Sequence, residues 1–450
     1  MPNEVPRTRT YSLARRQRTR LRFLALAIGL TVTPVLGAQR PTGAAASAMP
    51  DSQAITIDDA LGAARAANAA LPVAAFNVDV ARTVAREIRA SRRPSLATSA
   101  DLNLGGPLAY TTSQGWLQVV ASDTLFAGGR RRASLAAADY RTAAAAAGYR
   151  VTAKDVDLAV RVQFSALQAT QDEVAFRERG IARLQSYLAE IRSRQAAGQP
   201  VANDILGTEV RLGAEQANLA DAQRRADDAR LLLNQLMGRS PVAPLAIVPL
   251  PSPAPPPAAP DTAPWNLVPE VKQAVAERAA AESDISAAHA ERRPQLSVAA
   301  GLGALPVFFS KTNAGTGPWG GAGPGATVMF SLSLPLWDGG GYRARVERAQ
   351  ILARQATAIE AFTRGQSRLA WQRASAQLTR LYDEVQAWGR NVPVARDAYL
   401  QMASTYAGGA ATTLEVLDAY SAWISASTSY TDAVLRYRQA EAAYLRWGTP

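Results

Sequence analysis

Residues 125–130 read Leu125-Phe126-Ala127-Gly128-Gly129-Arg130, and residues 336–341 read Leu336-Trp337-Asp338-Gly339-Gly340-Gly341, 211 positions later. The same offset of 211 pairs Gly198 with Gly409, and Asp204-Ile205-Leu206 with Glu415-Val416-Leu417. An offset held without a gap over about 80 residues marks an internal duplication, so each copy is one structural unit. Upstream, Arg92-Arg93-Pro94-Ser95-Leu96 answers Arg292-Arg293-Pro294-Gln295-Leu296 at an offset of 200. The change of offset places an insertion between residues 295 and 336, in the Gly-rich stretch Asn313 to Gly325. Between the copies runs Pro241 to Pro264, including Pro255-Pro256-Pro257. Proline excludes helix interior and central strand there, which leaves an extended connector.

Both copies keep one order of elements. A helical segment (58–92 and 265–292) precedes two strand-like runs; a long helical segment (130–197 and 341–406) follows, then a Gly-containing turn and a returning helix (202–237 and 412–446). The long segments carry apolar residues every seventh position: Val160, Leu167, Val174, Ile181 and Leu188, answered by Trp371, Leu378, Val385, Val392 and Tyr399. The returning helices repeat the pattern with Leu212, Leu219, Ala226 and Leu233 against Trp423, Tyr430, Tyr437 and Tyr444. A sustained seven-residue period holds one seam against a neighbouring helix and implies left-handed supercoiling. The aromatic positions are read as core packing, not as a ligand box. A helix of about 65 residues is about 100 Å long, more than a compact domain holds. Its partner is predicted to be a broken leg, the short helix before the strands stacked end to end on the returning helix.

The strand-like runs alternate with period two. Leu296, Val298, Ala300 and Leu302 alternate with Gln295, Ser297 and Gly301; Ala326, Val328, Phe330, Leu332 and Leu334 alternate with Thr327, Ser331 and Ser333. In the first copy Leu96, Ala100, Leu102 and Leu104 alternate with Ser95, Ser99, Asp101 and Asn103. Runs of about ten residues with one apolar face are long enough to cross a bilayer as tilted strands. Four strands cannot close a barrel, and an open edge in lipid leaves backbone groups unpaired. Closure is therefore expected from other copies of the chain.

Of the net charge of +12, the first 40 residues supply +7, from eight Arg against Glu4 alone. The remaining +5 is spread over the rest of the chain, so no nucleic-acid partner is expected. Arg15 to Arg22 followed by the apolar Phe23 to Leu36 and small residues reads as a Sec-type signal peptide. The chain contains no cysteine, which excludes disulfides, thiolate metal sites and an acylated N-terminal cysteine. The expected organisation is 1–48 signal peptide and flexible start, 49–240 first repeat, 241–264 Pro-rich linker and 265–450 second repeat.

Several motifs now converge. They are the start Ile55-Thr56-Ile57-Asp58-Asp59-Ala60-Leu61, the Arg-Pro-x-Leu entry to the strands, the exit Pro335 to Gly340, and a Gly turn followed by an acid, a hydrophobic residue and Leu in both copies. In this order, over about 50–448, they resemble the TolC-type outer-membrane factor family. The resemblance implies a mainly α fold with a membrane β-barrel portion. Duplicated coiled-coil hairpins and four strands per protomer would assemble as a homotrimer with a 12-stranded barrel in outer-membrane lipid and a helical tube in the periplasm. It implies no enzyme activity and no cofactor. The trimer would be a passive exit duct in tripartite efflux or type I secretion, with a periplasmic adaptor (membrane fusion) protein and an inner-membrane pump or ABC exporter as partners.

Site residues follow from the same resemblance. Glu415 and Asp418 match acids that narrow the channel at its periplasmic mouth. Asp204 and Tyr406 match two members of a latch that holds the tips closed; the third, an Arg, is replaced by Ala411, so a hydrogen bond from Tyr406 to Asp204 is the most that is expected. Gly198 and Leu206, with Gly409 and Leu417, mark the tips on which an adaptor would dock. His289, the one histidine, has no partner at ligand spacing. Gly128-Gly129-Arg130 and Gly339-Gly340-Gly341 lack the Lys-Ser/Thr of a phosphate loop and read as strand-to-helix turns. Trp319 and Phe308-Phe309 are placed at the membrane interface or in loop packing. A periplasmic coiled-coil adaptor or scaffold without a barrel is the alternative reading, and the cargo is not legible.

Overall fold

The protein is described by a computed structural model over residues 54–105, 112–198, 202–257, 264–303, 307–310 and 325–448. The signal-peptide reading of residues 1–48, most of the Gly-rich insertion including Trp319, and the side chains of Phe308, Phe309, Asp101 and Asn103 lie outside the described residues.

Seven α-helices and five strands are described: α1 Ile57–Ala67, α2 Ala70–Ala90, β1 Ser95–Gly105, β2 Thr112–Ala127, α3 Arg130–Ala196, α4 Ala202–Leu236, α5 Pro269–Ala290, β3 Gln295–Gly303, β4 Val307–Ser310, β5 Gly325–Ser333, α6 Gly341–Ala407 and α7 Thr413–Gly448. The two long helices are 67 residues each, as a duplication requires. Both begin on the same backbone device. Gly128 and Gly129 have φ of 60° and 92°, and Gly339 and Gly340 have 66° and 92°. Only glycine adopts such angles without steric cost, so β2 turns directly into α3, while in the second copy an irregular segment, 334–338, precedes the same turn into α6.

The helix expected over 58–92 is two helices, with the break at Asn68-Ala69. Asn68 causes it. Its side-chain Oδ1 accepts the Ala70 amide at 2.9 Å, which replaces a helical bond, while its Nδ2 donates to the Leu236 carbonyl at 3.1 Å. That second bond joins α2 to the end of α4, so the broken leg does stack end to end along α3. A core of Leu61, Leu71, Val160, Phe164, Leu167 and Leu233 fills the joint. The connector lies across it in extended form. Ile55 and Ile247 form a parallel bridge, with the Ile55 amide 3.0 Å from the Ala246 carbonyl.

Most of the seven-residue positions are buried: Val160, Leu167, Ile181, Leu188, Trp371, Leu378, Val385 and Tyr399. Val174 and Val392 are half-buried. No described helix is long and apolar enough to cross a membrane.

The strands form one antiparallel sheet in the order β1-β2-β3-β5, with the short β4 paired to β2 beyond the end of β3. The fifth strand was not expected; it extends the second copy where the insertion begins. Register sorts the faces. Val119, Ala121, Leu296, Val298, Leu302, Val328, Phe330 and Leu332 fall on one side; Ser95, Ser99, Gln118, Ser122, Ser297, Thr327 and Ser331 fall on the other. Because opposite residues share a face, one side is mainly apolar, interrupted by Thr98 and Asp123, and the other is mainly polar, with Val120, Ala299 and Met329 among its residues. The helices repeat the order of the sheet. α2 packs on α3, α3 on α5 and α5 on α6, so β1, β2, β3 and β5 follow the order of the helices to which the chain joins them.

Candidate channel mouth at the hairpin tips

The hairpin tips lie at the Gly198 and Gly409 turns, at the ends of α3 and α6 remote from the sheet. Gly198 has φ of 89° and Gly409 has 77°, and a Cβ at either would meet nothing within 4 Å. Both turns therefore expose their backbone.

Behind the turns an aromatic core joins the two hairpins. Tyr399 stacks on Trp423 at 5.6 Å between ring centres, Tyr420 meets both edge-on, and Tyr187 of α3 meets Tyr406 of α6 at 5.2 Å. Such pairs add to their burial about 0.5–1.5 kcal/mol each. The aromatic positions are thus core, as the sequence suggested. The Tyr187 hydroxyl donates to the Thr413 hydroxyl at 3.2 Å, and burial pushes its own phenol above the usual tyrosine range. It stays protonated throughout the physiological range.

The predicted acid–tyrosine pair is brought together, but loosely. Tyr406 Oη lies 3.5 Å from Asp204 Oδ2, at the outer limit of a hydrogen bond. Ala411 has no polar side chain to add. A different arginine takes hold. Arg194, in the last turn of α3, donates to the Ala407 carbonyl at 2.8 Å, sits 4.6 Å over the Tyr406 ring and pairs with Glu190 at 3.0 Å. It thereby grips the C-terminal end of α6, where the helix leaves carbonyls unpaired. Comparison of the copies hides this residue, because position 405 of the second copy is Thr. Its place in the last turn of a helix was the available signal.

Glu415 and Asp418 are both exposed on the first turns of α7, three positions apart on one face. Glu415 also closes a capping box. It accepts the Thr412 amide at 2.7 Å and the Thr412 hydroxyl at 2.9 Å, while its own amide faces that hydroxyl at 3.4 Å. These bonds, the backbone one first, hold its carboxyl below the usual glutamate range. Glu415 is ionised at neutral pH, and the cap fixes where its charge sits.

The docking positions differ between copies. Leu206 is 61% exposed, and Val210, one turn on, is 75% exposed. Leu417, at the repeat position of Leu206, packs into the aromatic core, and Leu414 takes the exposed place instead. Val210 and Leu414 were not singled out in the sequence, since strict 211-residue correspondence points away from both.

This architecture defines a class: duplicated coiled-coil hairpins, each continuous with an amphipathic antiparallel sheet. The model of the outer membrane efflux protein family matches residues 60–239 and 267–446, and the chain belongs to that family. Protein CyaE of Bordetella pertussis is 27% identical over 311 residues, covering 67% of this chain and 64% of that protein's length. The fold is similar to that of CusC, with a TM-score of 0.78, 18% identity and coverage of 88% of this chain and 92% of that one. It is also similar to the outer membrane protein VceC of Vibrio cholerae, with a TM-score of 0.75, 17% identity and coverage of 87% and 96%. Membership places the chain among the outer membrane efflux proteins. A barrel-free periplasmic adaptor is not favoured.

Proposed function

We propose that three copies of this chain close one pore and serve as the passive exit duct of a tripartite efflux or type I secretion system. The observation that carries this is the open layer. β1 and β5 are the two ends of the sheet order, and α2 and α6 are the matching ends of the helical order. Strand directions alternate across the sheet, so β5 of one copy meets β1 of the next in antiparallel sense, and the ring closes with an even strand number. Three copies with four spanning strands each give the twelve-stranded size. In this reading residues 1–48 direct export, and 49–240 and 265–450 are the two repeats joined by 241–264.

The remaining roles follow at the tips. Glu415 and Asp418 from three copies ring the mouth with carboxylates and favour cations there. Asp204, Tyr406 and Arg194 hold the tips together. Gly198 and Leu206, with Gly409 and with Leu414 in the exposed place that the core-packed Leu417 does not take, present the turns to a periplasmic adaptor, and the inner-membrane pump or exporter supplies the energy. The duct itself performs no chemistry. The test is to purify the mature chain in detergent and add it to a planar bilayer. A heat-dissociable trimer that conducts ions is expected; a monomer that never conducts overturns the reading.

A further inference from the structure

At the level where strands give way to helices, the chain carries a collar of arginines that outnumber the acids free to pair with them. Most acids of this level are engaged, and only the exposed Glu87 and Glu347 form no ion pair among the described residues. Asp123 pairs with Arg131 at 3.4 Å, Glu291 and Asp338 both pair with Arg345 at 2.7 and 3.1 Å, Asp139 pairs with Arg89, and Asp284 with Arg141. Arg92, Arg93, Arg130, Arg132, Arg292 and Arg343 form no ion pair among the described residues. Like charges gathered at one height repel, and such a cluster is stable where an anion fills it.

Two clefts organise the collar. One, of about 920 Å³, opens between the start of α3, the end of α5 and the first turn of α6. Arg132, Arg292, Arg293, His289 and Tyr342 line it, together with the Gly128-Gly129 backbone, and no carboxylate does. Its guanidinium groups are positioned in advance: Arg293 donates to the Gly128 carbonyl at 2.9 Å, and Arg292 lies 5.8 Å over the Tyr342 ring. The second cleft, of about 240 Å³, shares Arg292 and Tyr342 and adds Arg343, Leu336 and Trp337; the carboxylates on its wall, Glu291 and Asp338, are those bound by Arg345.

The height of the collar identifies the ligand. Trp337 is 88% and Leu336 82% exposed, and their counterparts in the first copy, Phe126 and Leu125, are exposed as well. Phe126 pairs with Leu296 on the apolar side of the sheet. Aromatic residues at the end of an apolar band mark the border between acyl chains and headgroups. Guanidinium groups beside that border match phosphate oxygens in bidentate geometry.

We propose that this collar binds the phosphate of anionic phospholipid headgroups in the periplasm-facing leaflet, with Arg132 and Arg292 as principal contacts and Trp337 against the glycerol and upper acyl region. The proposal rests on membrane insertion of the sheet, and not on conduction. Its test is native mass spectrometry of the full mature chain released from detergent with phosphatidylglycerol, phosphatidylcholine or inorganic phosphate. Wild-type protein is expected to retain phosphatidylglycerol at least about tenfold more tightly than phosphatidylcholine, and Arg132→Ala/Arg292→Ala to lose most of that preference. Arg132→Lys/Arg292→Lys should keep part of it, with oligomeric state and ion conduction unchanged in both variants. Equal retention of the two lipids overturns the proposal. So does competition by inorganic phosphate at the affinity of the lipid, which would make the site one for soluble anions, and so does an unaltered preference in the alanine variant. Conduction without lipid preference would remove this proposal and leave the duct; lipid preference without conduction would do the reverse.

Discussion

Arg194 carries more of the tip contact than the tyrosine–aspartate pair beside it. A charged donor 2.8 Å from the Ala407 carbonyl and stacked on Tyr406 contributes about 2 kcal/mol, reduced somewhat by its partial exposure. The Tyr406–Asp204 contact at 3.5 Å contributes well under about 1 kcal/mol. The expectation is asymmetric. Arg194→Ala should raise single-channel conductance in a planar bilayer, because the end of α6 is released from α3. Tyr406→Phe keeps the ring under the guanidinium and should stay near wild type. A larger rise for Tyr406→Phe than for Arg194→Ala would return the latch to the tyrosine. The pair at Asp204 and Tyr406 was legible in the sequence because both fall at motif positions. Arg194 was not, because its partner is a carbonyl 213 residues away on the other hairpin, and a backbone acceptor leaves no residue type to read.

The hairpins show what duplication conserves and what it lets diverge. Arg225 binds Glu173 and Asp221 in the first copy; Arg436 binds Glu384 and Asp432, each 211 positions later, in the second. The first copy extends this triad inward. Arg177 bridges Glu173 and Glu215 at 2.8 and 3.1 Å, with Glu215 only 2% exposed. Burial opposes the charge on Glu173, but hydrogen bonds from Arg225 and Arg177 outweigh it and hold the carboxyl below its usual range. In the second copy positions 388 and 426 are Trp and Ala, so that inner pair is absent and the surface pair remains. Removing Glu215 by Ala leaves Arg177 short of a partner in a dry seam and should cost about 3–5 kcal/mol. Glu384→Ala removes an exposed partner of Arg436 and should cost about 1 kcal/mol or less. Denaturant unfolding followed by helical circular dichroism separates the two, and equal losses would mean that Arg177 finds water. Helix lengths, turn glycines and strand faces were readable because seven-residue and two-residue periods report directly on which side is covered. The break at Asn68 was not, since one Asn in an otherwise helical pattern is ambiguous until Leu236 arrives to accept its amide.

Across the whole molecule, the surfaces left uncovered are complementary in kind and in height. On α2, Val73, Phe76, Val80 and Val84 form an exposed apolar stripe; on α6, Ile351, Leu352, Ile359 and Phe362 form another. α2 runs toward the sheet and ends at Ala90, while α6 leaves it from Gly341. At 1.5 Å per residue, Val80 and Leu352 each lie about 15 Å along the helix from its sheet-side end, and Val73 and Ile359 each about 25 Å. The stripes therefore meet level for level when α6 of one copy approaches α2 of the next, as closure of β5 on β1 requires. The absence of native cysteine makes this directly measurable. Val80→Cys/Leu352→Cys in one chain, oxidised mildly in membranes, should yield covalent dimers and trimers on a denaturing gel, whereas either single substitution should remain monomeric. A head-to-tail ring also predicts that complete oxidation converts dimers into trimers and stops there, because the third bond closes the circle. Dimers that never progress would mean a two-fold contact in place of a ring. Ladders beyond three would mean an open chain of subunits, and the sheet would then keep an unpaired edge that lipid does not tolerate.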